Sequence, residues 1–134
     1  MSKTTEAAAI KRERRKMLFM TELIPLIQEI STQEPSVAQV YVTHVDLSAD
    51  GGVCYVYFSA FKEPGEEIFN VSLETLKLYK PSLRKAFVER IKMRYAPELV
   101  FLYDKTKEKE RRINSLLDKV VQELGDETPG EDHN

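Results

Sequence analysis

The chain has 134 residues, of which 42% are apolar and 31% charged, and its formal net charge is −2. That length suits one domain with a single modest core, and no apolar run approaches the ~18 residues that a membrane span requires. Cys54 is the only cysteine, which excludes an intramolecular disulfide, and with only His44 and His133 beside it a zinc site is not expected. The polar, basic N-terminus lacks the apolar stretch of a secretion signal, so the chain is expected in the cytoplasm.

Residues 1–10 are small and polar and are expected to form a flexible N-terminus. From Lys11 the pattern turns helical. The basic run Lys11–Lys16 leads into Met20, Leu23, Ile24, Leu26, Ile27 and Ile30 at spacings of three and four. Pro25 removes one backbone donor and crowds the Thr21 carbonyl, so a kink is predicted in a helix running to about Ile30. Ser31–Ser36, with Pro35, reads as a loop.

Gln39–Leu47 alternates as a strand does. Val40, Val42, His44 and Asp46 fall on one side, and Tyr41, Thr43, Val45 and Leu47 on the other. Asp50-Gly51-Gly52 supplies the positive-φ residues of a tight hairpin. Val53–Phe61 returns, with Cys54, Val56, Phe58 and Ala60 on one face and Tyr55, Tyr57 and Phe61 on the other. Glu63–Glu67 reads as a turn, after which Asn70 or Ser72 is expected to cap a short helix holding Leu73, Leu76 and Tyr79. Lys80-Pro81 ends it. The residue before a proline disfavours helical angles, whereas proline suits the first turn of the next helix.

In that next helix Leu83, Phe87, Val88, Ile91 and Tyr95 make the apolar face, with Lys85, Glu89 and Lys92 opposite. The phase of Arg84 puts it within the apolar sector, where a charge needs a partner. A short turn at Ala96-Pro97 would send a strand back along the helix. Rises of about 16 Å in each element place Arg84 level with Tyr103-Asp104, so Asp104, or another carboxylate such as Asp46, is the expected partner. The unbroken apolar run Leu99–Tyr103 predicts a strand buried on both faces or central in its sheet. Asp104 or Thr106 then caps a last helix with the stripe Ile113, Leu116, Leu117, Val120, Val121 and Leu124, ended by Gly125. The acidic stretch 125–134 is expected to be disordered. The organisation predicted is thus 1–10, a domain over 11–124, and a tail.

Charge is segregated along the chain. Lys62 is the only cation between residues 17 and 76, whereas Lys77, Lys80, Arg84, Lys85, Arg90, Lys92 and Arg94 face only Glu89 over 77–94. Blocks of this kind point to a polyanion-facing side. The candidate phosphate contacts are Lys11, Arg12, Arg15, Lys80, Arg84, Lys85, Arg90 and Lys92. The alternating run Lys105–Arg112 reads instead as an exposed, salt-bridged helix face. For catalysis, His44 with Asp46 and either Ser48 or Thr43 is the one arrangement to consider, and a strand histidine of this kind is more often structural. No phosphate-loop or dinucleotide motif surrounds Gly51-Gly52. An enzyme, a metal, a cofactor and a small-molecule substrate are therefore not expected.

The order helix, strand, strand, helix, helix, strand, helix is that of an α+β, type II KH-like domain, with a three-stranded sheet packed by helices and an added C-terminal helix. Three passages make the chain resemble the ribosome-binding factor A family. The first is the hairpin Val45–Tyr57, with its turn Ser48-Ala49-Asp50. The second is Leu83-Arg84 followed by Ile91–Phe101, which contains the R-x-x-P-E-L-x-F ending Arg94–Phe101. The third is Tyr103-Asp104 followed by Arg112–Leu117. The resemblance runs from about residue 12 to 121. It implies a non-enzymatic, monomeric assembly factor that binds the immature small ribosomal subunit and its 16S rRNA, assists late maturation and rRNA processing, and is linked to growth in the cold. A protein-interaction module docking a ribosomal protein or an assembly GTPase through its last helix and acidic tail, without direct RNA contact, is the alternative. The chain departs from the family at the break between its middle helices. Tyr79-Lys80-Pro81 stands where a type II KH domain has GxxG and this family commonly has Ala-x-Gly, so the implied RNA contacts there are the side chains of Lys80, Arg84 and Lys85.

Overall fold

The computed structural model describes residues 2–127, with side chains for 6–106, 109–110 and 112–124. The elements are α1 (Ser2–Gln33), a 3-10 turn (Val37–Gln39), β1 (Val40–Leu47), β2 (Val53–Ala60), α2 (Gly65–Leu78), α3 (Lys80–Ile91), β3 (Glu98–Tyr103) and α4 (Lys105–Glu127). The sheet order is β1-β2-β3. β1 and β2 form an antiparallel hairpin, and β3 runs parallel to β2 after the α2–α3 crossover. This is the α+β, type II KH-like arrangement. The chain divides into two compact units between Tyr103 and Asp104.

One face of the sheet is covered. Cys54, Val56, Phe58 and Ala60 of β2 point into the core beside Leu99, Phe101 and Tyr103 of β3. Phe19, Leu23, Ile27 and Ile30 of α1, Phe69 and Leu76 of α2, and Leu83 and Phe87 of α3 complete it. Phe19 and Phe87 meet with ring centroids 5.3 Å apart, joining α1 to α3. The opposite sheet face carries the ring pairs Tyr41–Phe61 and His44–Tyr57.

β1 departs from simple alternation. Val42 pairs with Phe58, but His44 pairs with Tyr57, so Thr43 is an extra residue in the ladder. The reason is legible in the burial. Val40 and Val42 have one parity and Val45 and Leu47 the other, and all four pack toward the helices. Only an inserted residue lets both pairs face inward, because the side-chain period of a strand is two.

Other boundaries also moved. α1 begins at Ser2, within the stretch expected to be flexible, and continues through Pro25 to Gln33. α2 begins at Gly65 with Pro64 as its N-cap residue, so neither Asn70 nor Ser72 caps it. Ser72 is instead fully buried on the inner face. α3 stops at Ile91, leaving Tyr95 outside the helix and exposed. β3 is an edge strand with alternating burial, not a central one, because the parallel crossover places it beyond β2. The apolar residues Val100 and Leu102 lie half-buried on the other face. α4 runs past Gly125 to Glu127, and the rest of the expected tail, 128–134, lies outside the described residues.

Gly65 is required by space. A Cβ there would run into the Tyr103 hydroxyl and come within 3.1 Å of its Cζ. Gly65→Ala is therefore expected to cost about 1–3 kcal/mol by overpacking. Urea unfolding should show the loss, and Tyr103→Phe in the same chain should recover part of it relative to Tyr103→Phe alone.

A candidate nucleic-acid interface

Two clefts meet at the hairpin end of the sheet. The larger, about 820 Å³, lies between the N-terminal half of α1 and the turn after β1. Lys11, Arg12, Arg14 and Arg15 line it beside Leu18 and Leu47. The second, about 510 Å³, lies between the same turn and the segment after α3, where Arg15, Lys92, Arg94 and Tyr95 line it. Arg15, Leu18, Asp50 and Gly51 belong to both. The two are one trough with Arg15 at its joint, and cations from opposite halves of the sequence share its walls.

The turn is shaped to allow this. Gly51 has φ 75°, and a Cβ on it would lie 3.2 Å from Arg15 Nη1. A side chain would be strained at that angle and would push the guanidinium away. The Asp50 carboxylate accepts hydrogen bonds from the Gly52 N–H at 2.9 Å and the Ser48 hydroxyl at 2.8 Å. The bond from Gly52, and then that from Ser48, hold its pKa below the usual carboxylate value. The Ser48 hydroxyl in turn accepts from the Val53 N–H at 2.9 Å, closing the hairpin. On the other wall, Lys92 ends α3 in the left-handed conformation, φ 57° and ψ 43°. Glycine is the usual residue there, and a side chain costs ~1–2 kcal/mol.

The cations named from the sequence differ in what holds them. Arg12 donates to the backbone carbonyls of Leu47 and Ser48 and lies 3.6 Å from Asp46. Lys16 lies 3.1 Å from the same carboxylate. Together they pin α1 to the end of β1. Lys11 and Arg15 stand in the larger cleft. Arg84 does not reach a carboxylate. Its Nε donates to the Pro97 carbonyl at 3.1 Å and its Nη2 to that of Ala96 at 3.3 Å. The expected partner was displaced because α3 stops four residues early. Residues 92–97 then run back beside the helix, so the start of β3, rather than its end, lies level with Arg84. The side chain is also exposed, not buried. The Lys80 ammonium lies 5.3 Å from the centroid of the Phe101 ring. Arg90 is 4.0 Å from Glu22, across the α1–α3 contact. Lys85 is exposed on α3. Lys11, Arg12, Arg15 and Lys92 thus converge on the trough, while Lys80, Arg84, Lys85 and Arg90 lie along α3. Arg14 and Arg94 also line the trough and were not singled out, although each sits inside a basic run that was.

The Lys16–Asp46 pair has a pH signature. The hydrogen bond from Lys16 lowers the Asp46 pKa from 3.8, and the same bond raises that of Lys16 from 10.5. A lowered carboxylate pKa contributes stability that is present above 3.8 and is lost as pH falls through the folded value. A raised lysine pKa contributes stability that is present below 10.5 and is lost as pH rises through the folded value. Asp46→Asn is therefore expected to be less stable than the parent at about pH 7, by well under ~1 kcal/mol for so exposed a pair. The gap should close in strong acid, as chemical denaturation at a series of pH values would record.

His44 stacks on Tyr57 with centroids 4.3 Å apart, and its Nδ1 lies 3.1 Å from the Thr43 hydroxyl. Cys54 is fully buried, and desolvation pushes its thiol up to about 12. Among the described residues, no helix is long and apolar enough to cross a membrane.

Residues 11–117 match the sequence model of the family described as Ribosome-binding factor A. The chain belongs to the ribosome-binding factor A family. The family member of Nitrosococcus oceani is 35% identical over 119 residues, covering 87% of each chain. That of Chromohalobacter salexigens is 33% identical over 100 residues, covering 75% of this chain and 76% of its own. The crystal structure of ribosome-binding factor A from Thermus thermophilus is 30% identical, with a TM-score of 0.60. The match covers 71% of this chain and 97% of that one.

The passages that carry the ribosome-binding factor A resemblance have structural roles. Ser48 and Asp50 tie the hairpin turn, and the Gly52 carbonyl accepts the Glu98 N–H at 2.9 Å, joining the turn to the R-x-x-P-E-L-x-F segment. Within that segment Pro97 receives Arg84, and Leu99 and Phe101 enter the core. Asp104 caps α4, its carboxylate accepting the Thr106 N–H at 2.9 Å. The family's glycine-containing break is replaced by Tyr79, at φ −91° and ψ −4°. The break therefore falls one residue before the expected Lys80, which already belongs to α3.

Proposed function

We propose that this chain is a non-enzymatic, cytoplasmic ribosome assembly factor that acts as a monomer. It binds the immature small ribosomal subunit through 16S rRNA, assists late maturation and rRNA processing, and is linked to growth in the cold. The observation that carries the reading is the trough, in which Lys11, Arg14, Arg15, Lys92 and Arg94 surround the hairpin turn. Clustered Lys and Arg side chains hold phosphates and fix register without reading bases. Lys92 supports it further, since a cation is kept at a backbone position that favours glycine. The exposed side of α3 extends the basic surface through Lys80, Arg84 and Lys85.

Cosedimentation with precursor and mature small subunits across a salt series tests the reading. Preferential binding to precursors, weakening with salt and lost in Lys80→Ala/Lys85→Ala/Lys92→Ala, is the expected result. Unchanged binding by that variant would sink the RNA-facing role of α3.

A second reading rests on α4. Ile113, Leu116, Leu117, Val120, Val121 and Leu124 are each at least 50% exposed, a stripe suited to the groove of a ribosomal protein or an assembly GTPase. Under this reading, which involves no direct RNA contact, Leu117→Glu/Val120→Glu would abolish subunit association, and the parent chain would not bind purified rRNA fragments.

A further inference from the structure

The break between α2 and α3 is tied on two sides. The Tyr79 hydroxyl donates to the Glu34 carboxylate at 3.0 Å, reaching the segment just after α1. Alongside it, the Ser36 and Thr75 hydroxyls lie 3.2 Å apart, joining the same segment to α2. The residue after Tyr79 is Lys80, whose ammonium is held over the Phe101 ring on the β3 side. The Tyr79 carbonyl accepts the Leu83 N–H at 2.9 Å and so starts the hydrogen-bond ladder of α3. Tyr79 is only half-buried, so hydrophobic burial alone does not dictate its place.

We infer that Tyr79 is a positioning residue. Its bond to Glu34 sets the direction in which α3 leaves the break and thereby presents Lys80 to phosphate. A glycine break bends because it has no side chain and lets RNA approach the backbone. This break keeps helical angles and has a bulky ring at the bend. Its direction is set by an outside anchor, and its contact with RNA is made by the side chain that follows. Rotation about the break would swing Lys80 off Phe101 and realign the first turn of α3, loosening the Leu83 N–H bond to the Tyr79 carbonyl. The inference rests on the RNA-binding reading for its function, but the anchoring itself can be measured without RNA.

The test compares Tyr79→Phe, Glu34→Ala and Glu34→Gln in the full chain. Tyr79→Phe keeps the ring and removes only the donor, Glu34→Ala removes the acceptor, and Glu34→Gln keeps an acceptor oxygen. Amide exchange at Leu83 is expected to rise in the first two and to stay near the parent in the third. Affinity for a 16S rRNA fragment is expected to fall about three- to tenfold in Tyr79→Phe and Glu34→Ala, and to be largely kept in Glu34→Gln. Tyr79→Phe/Lys80→Ala should bind no worse than Lys80→Ala alone, since the tyrosine acts through the lysine. Losses that multiply in the double variant, or parent-like affinity in Tyr79→Phe beside a weakened Lys80→Ala, would overturn the positioning role. Parent-like exchange at Leu83 in Tyr79→Phe would overturn the anchoring itself. If Lys80→Ala binds as the parent does while exchange at Leu83 still rises, RNA contact by Lys80 is what fails. Tyr79 is then an anchor without that function.

Discussion

Phe58→Ala is expected to cost about 3–5 kcal/mol, the range for truncating a fully buried aromatic ring. Phe58 is fully buried in the middle strand. Its ring lies 5.7 Å from Phe69 of α2 and 5.6 Å, edge-on, from Phe101 of β3. Phe69 continues to Tyr103 at 5.9 Å. One side chain therefore clamps the crossover helix and the edge strand onto β2. Truncating it removes the transfer energy of the ring and the aromatic pairs, and it leaves a cavity that three elements would have to collapse to fill. For a unit of this size the midpoint should drop by roughly 10–20 °C. Phe58→Leu should cost appreciably less, because it keeps much of the volume. A loss in Phe58→Ala below ~2 kcal/mol in urea unfolding would mean that the cluster does not anchor α2 and β3 as described.

Arg15→Ala/Lys92→Ala/Arg94→Ala should weaken binding to precursor small subunits by about a hundredfold at moderate salt, taking ~1 kcal/mol for each solvent-exposed phosphate contact. The dependence of log affinity on log salt should become shallower by about 2–3, as three fewer counterions are released. These side chains lie in the trough rather than in the core, and Lys92 and Arg94 are in a connecting segment, so the fold should persist. Lys92→Gly separates the two roles of its position. Glycine relieves the left-handed backbone, so the variant should unfold at higher urea concentration while binding more weakly. Retained affinity in Lys92→Gly would show that the position is a helix terminus and nothing more. An unchanged salt slope in the triple variant would place the rRNA elsewhere on the molecule.

The acid-sensitive pair and the tight glycine contact fix helices at opposite ends of the sheet. Asp46 holds Lys16 and stands beside Arg12, so α1 lies against the hairpin before any phosphate is present. Gly65 lets α2 start against Tyr103, which fixes the crossover that leads to the break at Tyr79. Loss of either would alter binding indirectly, which is why the unfolding measurements belong beside the binding ones.

Much of this was legible from local pattern alone. Element order, the hairpin turn, the inward set Cys54, Val56, Phe58 and Ala60, the break near Pro81 and the stripe of α4 follow from periodicity and from the backbone limits of glycine and proline. These are properties of a residue and its near neighbours in the chain. The blocks of Lys and Arg were equally visible, and with the hairpin and R-x-x-P-E-L-x-F passages they led to the right family. What tertiary structure alone decided was every outcome set by competition between distant segments. Thr43 became a bulge because Val40 and Val42 had to share a face with Val45 and Leu47. Arg84 took backbone carbonyls because α3 ended early at a left-handed lysine, a conformation that no sequence rule assigns to lysine. The site itself is of this second kind. Arg15 and Lys92 belong to separate runs of charge, and they line one trough only because the hairpin turn, bent at Gly51, lies between α1 and the end of α3.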